Sequence, residues 1–328
     1  MKYRILGKTG FNISEISLGT WQVGGKWGSG FDHKLADQIL NAALDEGINF
    51  IDTADVYEAG ESETAVGRIV KKSRDRIFVA TKCGRQINPH INEGYTPQAL
   101  RSYVEDSLKR LQMECLDLVQ LHCPPTQVYY RPEIFGEFEK MKAEGKILNL
   151  GVSVAKVEEA LKAIEFENVT TVQIIYNIFR QRPHDYFFKR AAEKNVGIIV
   201  RVPLASGLLS GKYSLSTKFE KSDHRFNNRN GEHFDKGETF AGIPYEKGIA
   251  AVEEIKRQIT DSEQLALTAL KWILMKPEVS CIIPGASNAD QVNANILASA
   301  LPDLDEKLLS YIDSIYEENI KEFVHQNW

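Results

Sequence analysis

The chain has 328 residues, of which 43% are hydrophobic, and its formal net charge is -5 at pH 7. That length can bury a large core, either as two average domains or as one α/β barrel. The slightly acidic balance implies no broad basic face, so we expect no nucleic-acid partner. No uncharged apolar stretch is long enough to cross a bilayer, so no membrane partner is expected either.

The amino-terminal segment YRILGKTGFNISEI predicts a β-hairpin that turns at Lys-Thr-Gly. Beyond it one unit recurs, in which a short apolar run rich in β-branched residues precedes a turn and an amphipathic stretch. The runs predict eight strands, in residues 13–19, 48–53, 76–82, 116–122, 147–153, 171–177, 197–203 and 280–285. Helical spacing of apolar residues predicts helices in residues 34–47, 96–111, 132–146, 156–164, 185–195 and 262–277.

Strand–helix alternation predicts a parallel sheet covered by helices. Eight repeats favour a closed (β/α)8 TIM barrel over an open sheet, and GTWQVGGKWGSG after the first barrel strand lacks the G-x-G-x-x-G spacing. We therefore expect a single α/β domain over residues 1–328: a TIM barrel with an N-terminal β-hairpin and a long loop after strand seven. That loop, residues 214–247, is either a lid over a cofactor or a solvated charged loop.

The four cysteines, at positions 83, 115, 123 and 281, follow no spacing typical of zinc or redox sites. We expect no metal site, a reduced, cytoplasmic setting, and no secretion signal, because the amino-terminal stretch lacks the apolar run of a signal peptide. Cys83 and Cys123 directly follow Lys82 and His122. Because neighbouring residues of a strand face opposite ways, we expect both thiols to be buried and inert.

Polar side chains stand where the second, third and fourth predicted strands end. These are Asp52, Lys82 and His122, with Tyr57 in the loop after the second strand. Tyrosine has a pKa of about 10, and an ammonium such as that of Lys82 lowers it. Asp52 would hold Lys82 in place and charged. Tyr57 would then donate a proton to an alkoxide, and His122 would orient a carbonyl oxygen.

Each of these residues has an ordinary explanation when taken alone. A strand-end Asp is often a cap, a Lys is often a solvated rim charge, and a loop Tyr often only packs. Their convergence on three consecutive strands, which a TIM barrel uses for catalysis, favours the catalytic interpretation. Lysines in such places also form Schiff bases, so an aldolase is an alternative in which Lys82 carries the substrate.

The stretch DTADVYEAGESE resembles the Asp-Thr-Ala … Tyr-Gly … Ser-Glu signature of the aldo-keto reductase family. The resemblance covers nearly the whole chain, including SLGTW, FVATKCG, DLVQLH, PLASGLLSGKY and IIPGASNADQVNANI. It implies that Asp52, Tyr57, Lys82 and His122 are the catalytic tetrad. It also implies that Trp21 lines the substrate pocket together with Tyr57 and His122.

The resemblance further assigns residues to a nicotinamide cofactor. Positions beside the cofactor or against its nicotinamide are matched by Gly19, Thr20, Trp21, Asp52, Ser153, Gln173 and Arg201. The segment that cradles the pyrophosphate is matched by Pro203, Leu204, Ser206, Gly207, Ser210 and Lys212. The residues that hold the adenosine end are matched by Gly285, Ser287, Gln291 and Asn295.

The sequence departs from the classical family pattern at three places. Val154 stands where Asn is frequent, and Arg201 stands where an aromatic residue stacks on the nicotinamide. Gly285 and Gln291 occupy positions where classical members grip the 2′-phosphate with Lys and Arg. The pattern is closer to the branch with bacterial reductases and potassium-channel β subunits, which implies NADPH rather than NADH. Lys212 and Arg225 are candidates for the missing positive charge.

We therefore expect an NADPH-dependent carbonyl oxidoreductase that reduces small aldehydes, ketones or sugar-like carbonyls, with the proton coming from Tyr57. An NADPH-binding regulatory module with little turnover is the main alternative, although His122, which the channel subunits tend to replace, favours an enzyme. The only partner expected is a small carbonyl substrate. The sequence leaves open whether the protein is a monomer or a homo-oligomer.

Overall fold

The computed structural model describes residues 1–25, 30–259, 261 and 264–328. Within these residues, a two-stranded antiparallel hairpin precedes an eight-stranded parallel sheet. The hairpin consists of β1 (Tyr3–Ile5) and β2 (Asn12–Ser14). The parallel strands are β3 (Leu18–Gly19), β4 (Phe50–Asp52), β5 (Phe78–Cys83), β6 (Leu116–His122), β7 (Ile147–Ser153), β8 (Val169–Ile175), β9 (Gly197–Arg201) and β10 (Val279–Ile282).

The sheet closes on itself, since its first and last strands also meet. The order runs from β3 through β10 without interruption, and each strand is parallel to its neighbour. Parallel bridges join Ile16 to Ile282 and Gly19 to Gly285. A side chain on Gly19 would lie 2.8 Å from the carbonyl oxygen of Ile283, so only glycine allows this close approach. The predicted TIM barrel is confirmed.

Helices surround the barrel. They are α1 (His33–Asp45), α2 (Glu61–Val70), α3 (Pro97–Leu111), α4 (Pro132–Ala143), α5 (Val157–Ala163), α6 (Phe187–Glu193), α7 (His224–Asn227), α8 (Tyr245–Lys256), α9 (Leu265–Leu274), α10 (Ala289–Ile296), α11 (Glu306–Ile315) and α12 (Lys321–Val324). The six predicted helices correspond to α1, α3, α4, α5, α6 and α9. Positions 262 and 263 of the last predicted helix lie outside the described residues. Among the helices described, none is long and apolar enough to cross a membrane.

Local sequence signals explain where several helices begin. Thr96 caps α3 by accepting a hydrogen bond from the backbone N–H of Ala99, and Pro97 occupies the first helical position. Asp32 caps α1 in the same way through Leu35. Helix α2 was not predicted. It contains Gly67, where a side chain would meet the Leu111 carbonyl carbon at 2.5 Å, so the glycine serves close packing of α2 on the end of α3.

The hydrophobic core has two parts. A large outer part lies between the strands and the helices and includes alternate strand residues such as Ile51, Val79 and Val119. A smaller inner part fills the amino end of the barrel. It combines hairpin residues with inward-facing strand residues: Leu6, Ile13, Phe50, Ala80, Leu118, Ile199, Cys281 and Ile283. The hairpin therefore plugs one end of the barrel and leaves the carboxyl end as the place for a site.

The segment at residues 214–247, after β9, is folded. It contains α7, two short 3-10 turns at Lys236–Glu238 and Phe240–Gly242, and the start of α8. An aromatic cluster of Phe219, Phe240 and Tyr245 packs inside it, and the Arg229 guanidinium lies 4.8 Å from the Tyr245 ring centre. The segment is therefore held by its own packing.

Candidate active site

Three of the predicted catalytic residues form a hydrogen-bonded group at the carboxyl end of β4 and β5. The Lys82 ammonium donates to Asp52 Oδ1 at 2.6 Å, to the Thr53 carbonyl oxygen at 2.8 Å and to the Tyr57 hydroxyl at 3.1 Å. All three hydrogens of the ammonium thus have acceptors. Lys82 itself is only 1% exposed. The contact expected between Asp52, Lys82 and Tyr57 is present.

A tight turn after β4 brings Tyr57 back over Lys82. The Tyr57 backbone N–H donates to the Ala54 carbonyl at 3.2 Å, and the next two residues have φ values of 45° and 53°. These residues, Glu58 and Ala59, are in the left-handed region that non-glycine residues seldom adopt. The strained turn is therefore what sets the position of the phenol.

Two glutamines hold the second oxygen of Asp52. Oδ2 accepts hydrogen bonds from the side-chain amides of Gln120 at 3.0 Å and of Gln173 at 2.8 Å. Gln173 was predicted as a cofactor residue and Gln120 was missed. A strand period of two could have identified Gln120, because it lies two residues before His122 on the same inward face of β6. The carboxylate is thereby fixed from both sides.

The pKa shifts of this group have opposing causes. Burial lowers the pKa of Lys82, but the Asp52 carboxylate and the Tyr57 hydroxyl together raise it by more, so the pKa lies above its ordinary value. For Tyr57, burial raises the pKa and outweighs the lowering by Lys82. Lys82 thus lowers the Tyr57 pKa, as expected, but desolvation of the phenolate exceeds the attraction of one ammonium, so the pKa lies above its ordinary value. Tyr57 keeps its proton until a stronger base forms next to it.

His122 lies beside Tyr57, with ring centres 6.0 Å apart and planes at 84°. Its pKa falls well below the ordinary value because of burial and the positive charges of Lys82, Arg85 and Arg201. The ring is therefore neutral at physiological pH, and one nitrogen of a neutral imidazole carries a proton to donate. Its Nδ1 atom is buried without a hydrogen-bond partner.

Strand register explains why distant residues meet here. Lys82 pairs with Gln120, His122 pairs with Ser153, and Ser153 pairs with Gln173 across neighbouring strands. The Ser153 hydroxyl donates to the Gln173 side-chain oxygen at 3.4 Å. The structure thus joins two predicted cofactor residues, Ser153 and Gln173, to the carboxylate of the predicted tetrad.

Residues after β3 lie on the same side. The Thr20 hydroxyl is fully buried, donates to the Asp52 carbonyl oxygen at 3.1 Å and accepts from Ser62 Oγ at 2.8 Å. Trp21 is partly exposed, and its ring centre lies 4.6 Å from that of His224 in an edge-on arrangement. The structure therefore brings the 214–247 segment against a predicted pocket residue.

The segment after β9 turns sharply where the pyrophosphate was predicted. The φ angles of Val202, Ala205 and Ser206 are positive. Pro203 and Leu204 lie between Val202 and Ala205. The Ser206 hydroxyl donates to the Glu238 carbonyl oxygen at 3.1 Å, and the Ser210 hydroxyl donates to the Gly207 carbonyl oxygen at 2.6 Å. Lys212 is exposed, which leaves its ammonium accessible to a ligand.

The predicted adenosine residues lie at the rim. Asn288 caps α10 by accepting from the Gln291 backbone N–H at 2.9 Å. The Gln291 side-chain oxygen accepts from the backbone N–H of Ser287 at 2.8 Å and from its hydroxyl at 3.1 Å. Gly285 and Gln291 are exposed and Asn295 is half-buried on α10. These residues surround the beginning of a helix, where the backbone N–H groups favour an anion.

Arg225 is engaged elsewhere. Its guanidinium donates to both oxygens of Asp223, at 2.9 and 2.5 Å, and also contacts the Tyr213 hydroxyl. Its charge is therefore already paired, which makes Lys212 the better candidate for a 2′-phosphate.

Arg201 and Cys123 come together at the mouth of the barrel. Arg201 Nη2 donates to the Val154 carbonyl oxygen at 3.0 Å and lies 3.6 Å from Cys123 Sγ, while its Nε atom is buried without a partner. Cys123 Sγ is also 3.5 Å from Ser153 Oγ. Cys123 is only partly buried, not buried as expected, because it lies just after β6 with a φ of 46° that breaks the strand alternation. Burial still raises the pKa of its thiol, which agrees with the expected lack of reactivity. Cys83 does lie in the outer core, as expected.

Three further polar residues at the mouth were missed. Glu238, from the 214–247 segment, lies 3.5 Å from Arg85 and 3.6 Å from Arg201. Asp55 is fully buried with both carboxylate oxygens unpartnered, and burial together with Glu63 raises its pKa to about 7. No local pattern marks Glu238, which lies 153 residues from Arg85. Asp55 lies within the signature stretch, but nothing there reveals its lack of partners.

Comparisons with known proteins find one family over nearly the whole chain. The profile of the aldo/keto reductase family matches residues 15–317. The aldo-keto reductase YhdN of Bacillus subtilis (strain 168) is 30% identical over 98% of this chain and 96% of its own. Among solved structures, the glycerol dehydrogenase AKR11B4 from Gluconobacter oxydans is similar with a TM-score of 0.79, 29% identity and coverage of 97% and 96%. The holo form of AKR11C1 from Bacillus halodurans has a TM-score of 0.77, 28% identity and 96% coverage of both chains.

Proposed function

Because the chain belongs to the aldo/keto reductase family of NAD(P)H-dependent oxidoreductases, we propose that it reduces small aldehydes, ketones or sugar-like carbonyls with NADPH. NADPH supplies the hydride when it is bound. The observation that carries the proposal is the Tyr57–Lys82–Asp52 group beside a neutral His122. This arrangement offers a protonated phenol and an imidazole N–H donor at one place.

Tyr57 is the proton donor in this proposal. A carbonyl oxygen that accepts hydrogen bonds from Tyr57 and His122 gains negative charge as the hydride arrives, and the phenol proton then moves to that oxygen. The Lys82 ammonium, 3.1 Å from the phenol oxygen, stabilises the phenolate that remains. Asp52 keeps Lys82 in position and is itself held by two glutamines.

The cofactor side is proposed from the residues that surround the same pocket. Ser153 and Gln173 would bind the carboxamide of the nicotinamide. The turn from Pro203 to Lys212 would hold the pyrophosphate through backbone N–H groups and Lys212. The start of α10, with Gly285, Ser287, Gln291 and Asn295, would hold the adenosine end. The unpartnered Nε of Arg201 supports a ligand at this place, because a buried N–H requires an acceptor.

The aldolase alternative loses support. A Schiff base requires an unprotonated amine. Asp52 and Tyr57 hold the pKa of Lys82 above its ordinary value, so the amine stays charged. The four cysteines are free thiols, which fits the proposed cytoplasmic setting.

Cofactor titration followed by turnover tests the proposal. The purified protein is titrated with NADPH and with NADH, and loss of absorbance is then followed with a panel of neutral aldehydes and ketones. Preferred binding of NADPH followed by its oxidation is the expected result. Tight NADPH binding without oxidation across the panel would favour a regulatory module instead, and absence of cofactor binding would contradict the proposal.

A further inference from the structure

Two arginines from opposite sides of the barrel share one carboxylate. Arg85 Nη1 lies 3.5 Å and Arg201 Nη2 lies 3.6 Å from the same oxygen, Glu238 Oε1. Arg85 follows β5, whereas Arg201 ends β9, and three strands separate them along the sheet. Glu238 therefore lies between opposite walls of the mouth.

This bridge leaves much donor capacity unused. Both contacts are longer than the roughly 2.7–3.2 Å of an N–H···O hydrogen bond, and both use a single carboxylate oxygen. Within the described part of the chain, Glu238 is the hydrogen-bond partner of the Arg85 guanidinium, and Arg201 Nε has none. A guanidinium has five N–H donors arranged to bind a carboxylate or phosphate at two points. The two arginines are thus poorly satisfied by Glu238 alone.

Two arginines face one carboxylate at this place. Lys82 is already paired with Asp52 at 2.6 Å. Glu238 contacts both Arg85 and Arg201, and it does so through the same oxygen. Within the described part of the chain, the two guanidinium groups therefore share a single carboxylate.

We propose that the carbonyl substrate carries a negatively charged group, and that Arg85 binds this group at the mouth of the barrel. Arg85 follows β5, the strand that also carries Lys82. It lies opposite the turn proposed for the pyrophosphate. A substrate anion there would pair with Arg85 while the carbonyl reaches Tyr57 and His122. Glu238 competes with it for the same guanidinium. The inference rests on the proposed reductase function.

A carboxylate and a phosphate would satisfy the same donors, so two matched substrate pairs are needed. One pair is 4-oxobutanoate and its methyl ester, and the other is glyceraldehyde 3-phosphate and glyceraldehyde. We expect kcat/KM to be at least about tenfold higher for the anion of one pair, through a lower KM, because a charge-assisted hydrogen bond to a guanidinium is stronger than a neutral one. The pair with the larger ratio identifies the charged group.

Variants separate a specific contact from a structural one. Arg85→Met should reduce the anion-to-neutral ratio of kcat/KM at least tenfold, and Glu238→Gln should increase it. Arg74→Met, a change of an exposed arginine that precedes the same strand at the opposite end of the barrel, is the matched control and should leave the ratio unchanged. A merely structural role of Arg85 would lower both activities and keep their ratio.

The outcomes also separate this inference from the proposed function. A wild-type ratio near one in both pairs, or a high ratio that survives Arg85→Met, overturns the assignment of the anion to Arg85. If NADPH is oxidised neither with any of these four aldehydes nor with any compound of the neutral panel, the proposed function itself fails. Reduction of the neutral members without preference for the anions leaves the reductase intact and removes only the anionic substrate.

Discussion

The two ends of the barrel are built from the same strands yet differ in almost every physical respect. At the amino end, Phe50, Leu118 and the hairpin residue Ile13 form an apolar cluster that is fully buried. At the carboxyl end, two residues further along the same strands, Asp52 and Gln120 form hydrogen bonds in place of apolar contacts. The amino end therefore stabilises the fold, whereas the carboxyl end has features that lower stability and that selection for stability alone would not retain.

Those costs are visible in backbone and side chains. Left-handed φ values occur at Glu58, Cys123 and Ser206 in loops at the carboxyl end. Buried polar atoms without partners occur there too, on His122 and Arg201. Strained conformations and unpaired groups gather at functional sites, because the surrounding structure must hold them. The following variants test whether the two ends really divide stability and activity in this way.

Removing the Tyr57 hydroxyl should have the largest effect. Tyr57→Phe is expected to lower kcat for carbonyl reduction by about 10²–10⁴-fold, the scale of general-acid catalysis, and to leave NADPH affinity intact. Stopped-flow or steady-state kinetics measure kcat, and a fluorescence titration measures the NADPH affinity. Tyr130→Phe, at a largely exposed ring, is the control. An unchanged kcat in Tyr57→Phe would exclude this residue as the acid.

The apolar end should respond in stability instead. Leu118→Ala is expected to lower the free energy of unfolding by about 3 kcal/mol, within the roughly 2–5 kcal/mol typical of such core truncations. Leu118 is fully buried inside the barrel. Chemical denaturation checks the loss, and kcat/KM of the folded fraction should stay close to that of the wild type. A large loss of kcat/KM with unchanged stability would contradict the division between the two ends.

Removing the Lys82 ammonium should have the next largest effect. Lys82→Met is expected to reduce kcat by roughly 10²-fold, because it leaves the phenolate of Tyr57 without its nearest positive charge. The pH profile of kcat should lose the limb that reports the coupled Tyr57–Lys82 pair. Survival of both the rate and the profile would show that Lys82 does not act on Tyr57.

Replacing Asp55 should have the smallest effect, and this effect on stability should depend on pH. Its pKa is raised to about 7 in the folded protein, whereas an unfolded chain releases this proton near pH 4. Rising pH between these values therefore favours unfolding, since the unfolded chain binds fewer protons there. Asp55→Asn should be more stable than the wild type, by a margin that grows by about 2–3 kcal/mol from pH 5 to pH 7.

Denaturation curves at both pH values measure that margin. A margin that stays constant with pH would mean that Asp55 is ionised in the folded protein and that its oxygens have found partners. Asp75→Asn, at an exposed position at the other end of the barrel, is the control for the chemical change itself.

The sequence by itself determined the barrel, its hairpin and the strand ends that carry the proposed catalytic residues. Those features follow from periodicity: the strand period of two places Leu118 and His122 on the same face of β6, with Leu118 nearer one end and His122 at the other, and eight strand–helix repeats predict closure. The contact of Lys82 with Asp52 followed from neighbouring strands. Such local rules suffice because adjacent parallel strands align their carboxyl ends.

Only the tertiary structure decided how charges and strain combine at the mouth. The net direction of the Tyr57 pKa depends on how deeply the phenol is buried, which no residue pattern records. The position of Cys123 depends on one left-handed residue. The bridge from Arg85 through Glu238 to Arg201 joins three parts of the chain that meet only after the barrel closes. Electrostatics depends on distances in space, and those distances are set by packing far from each residue in sequence.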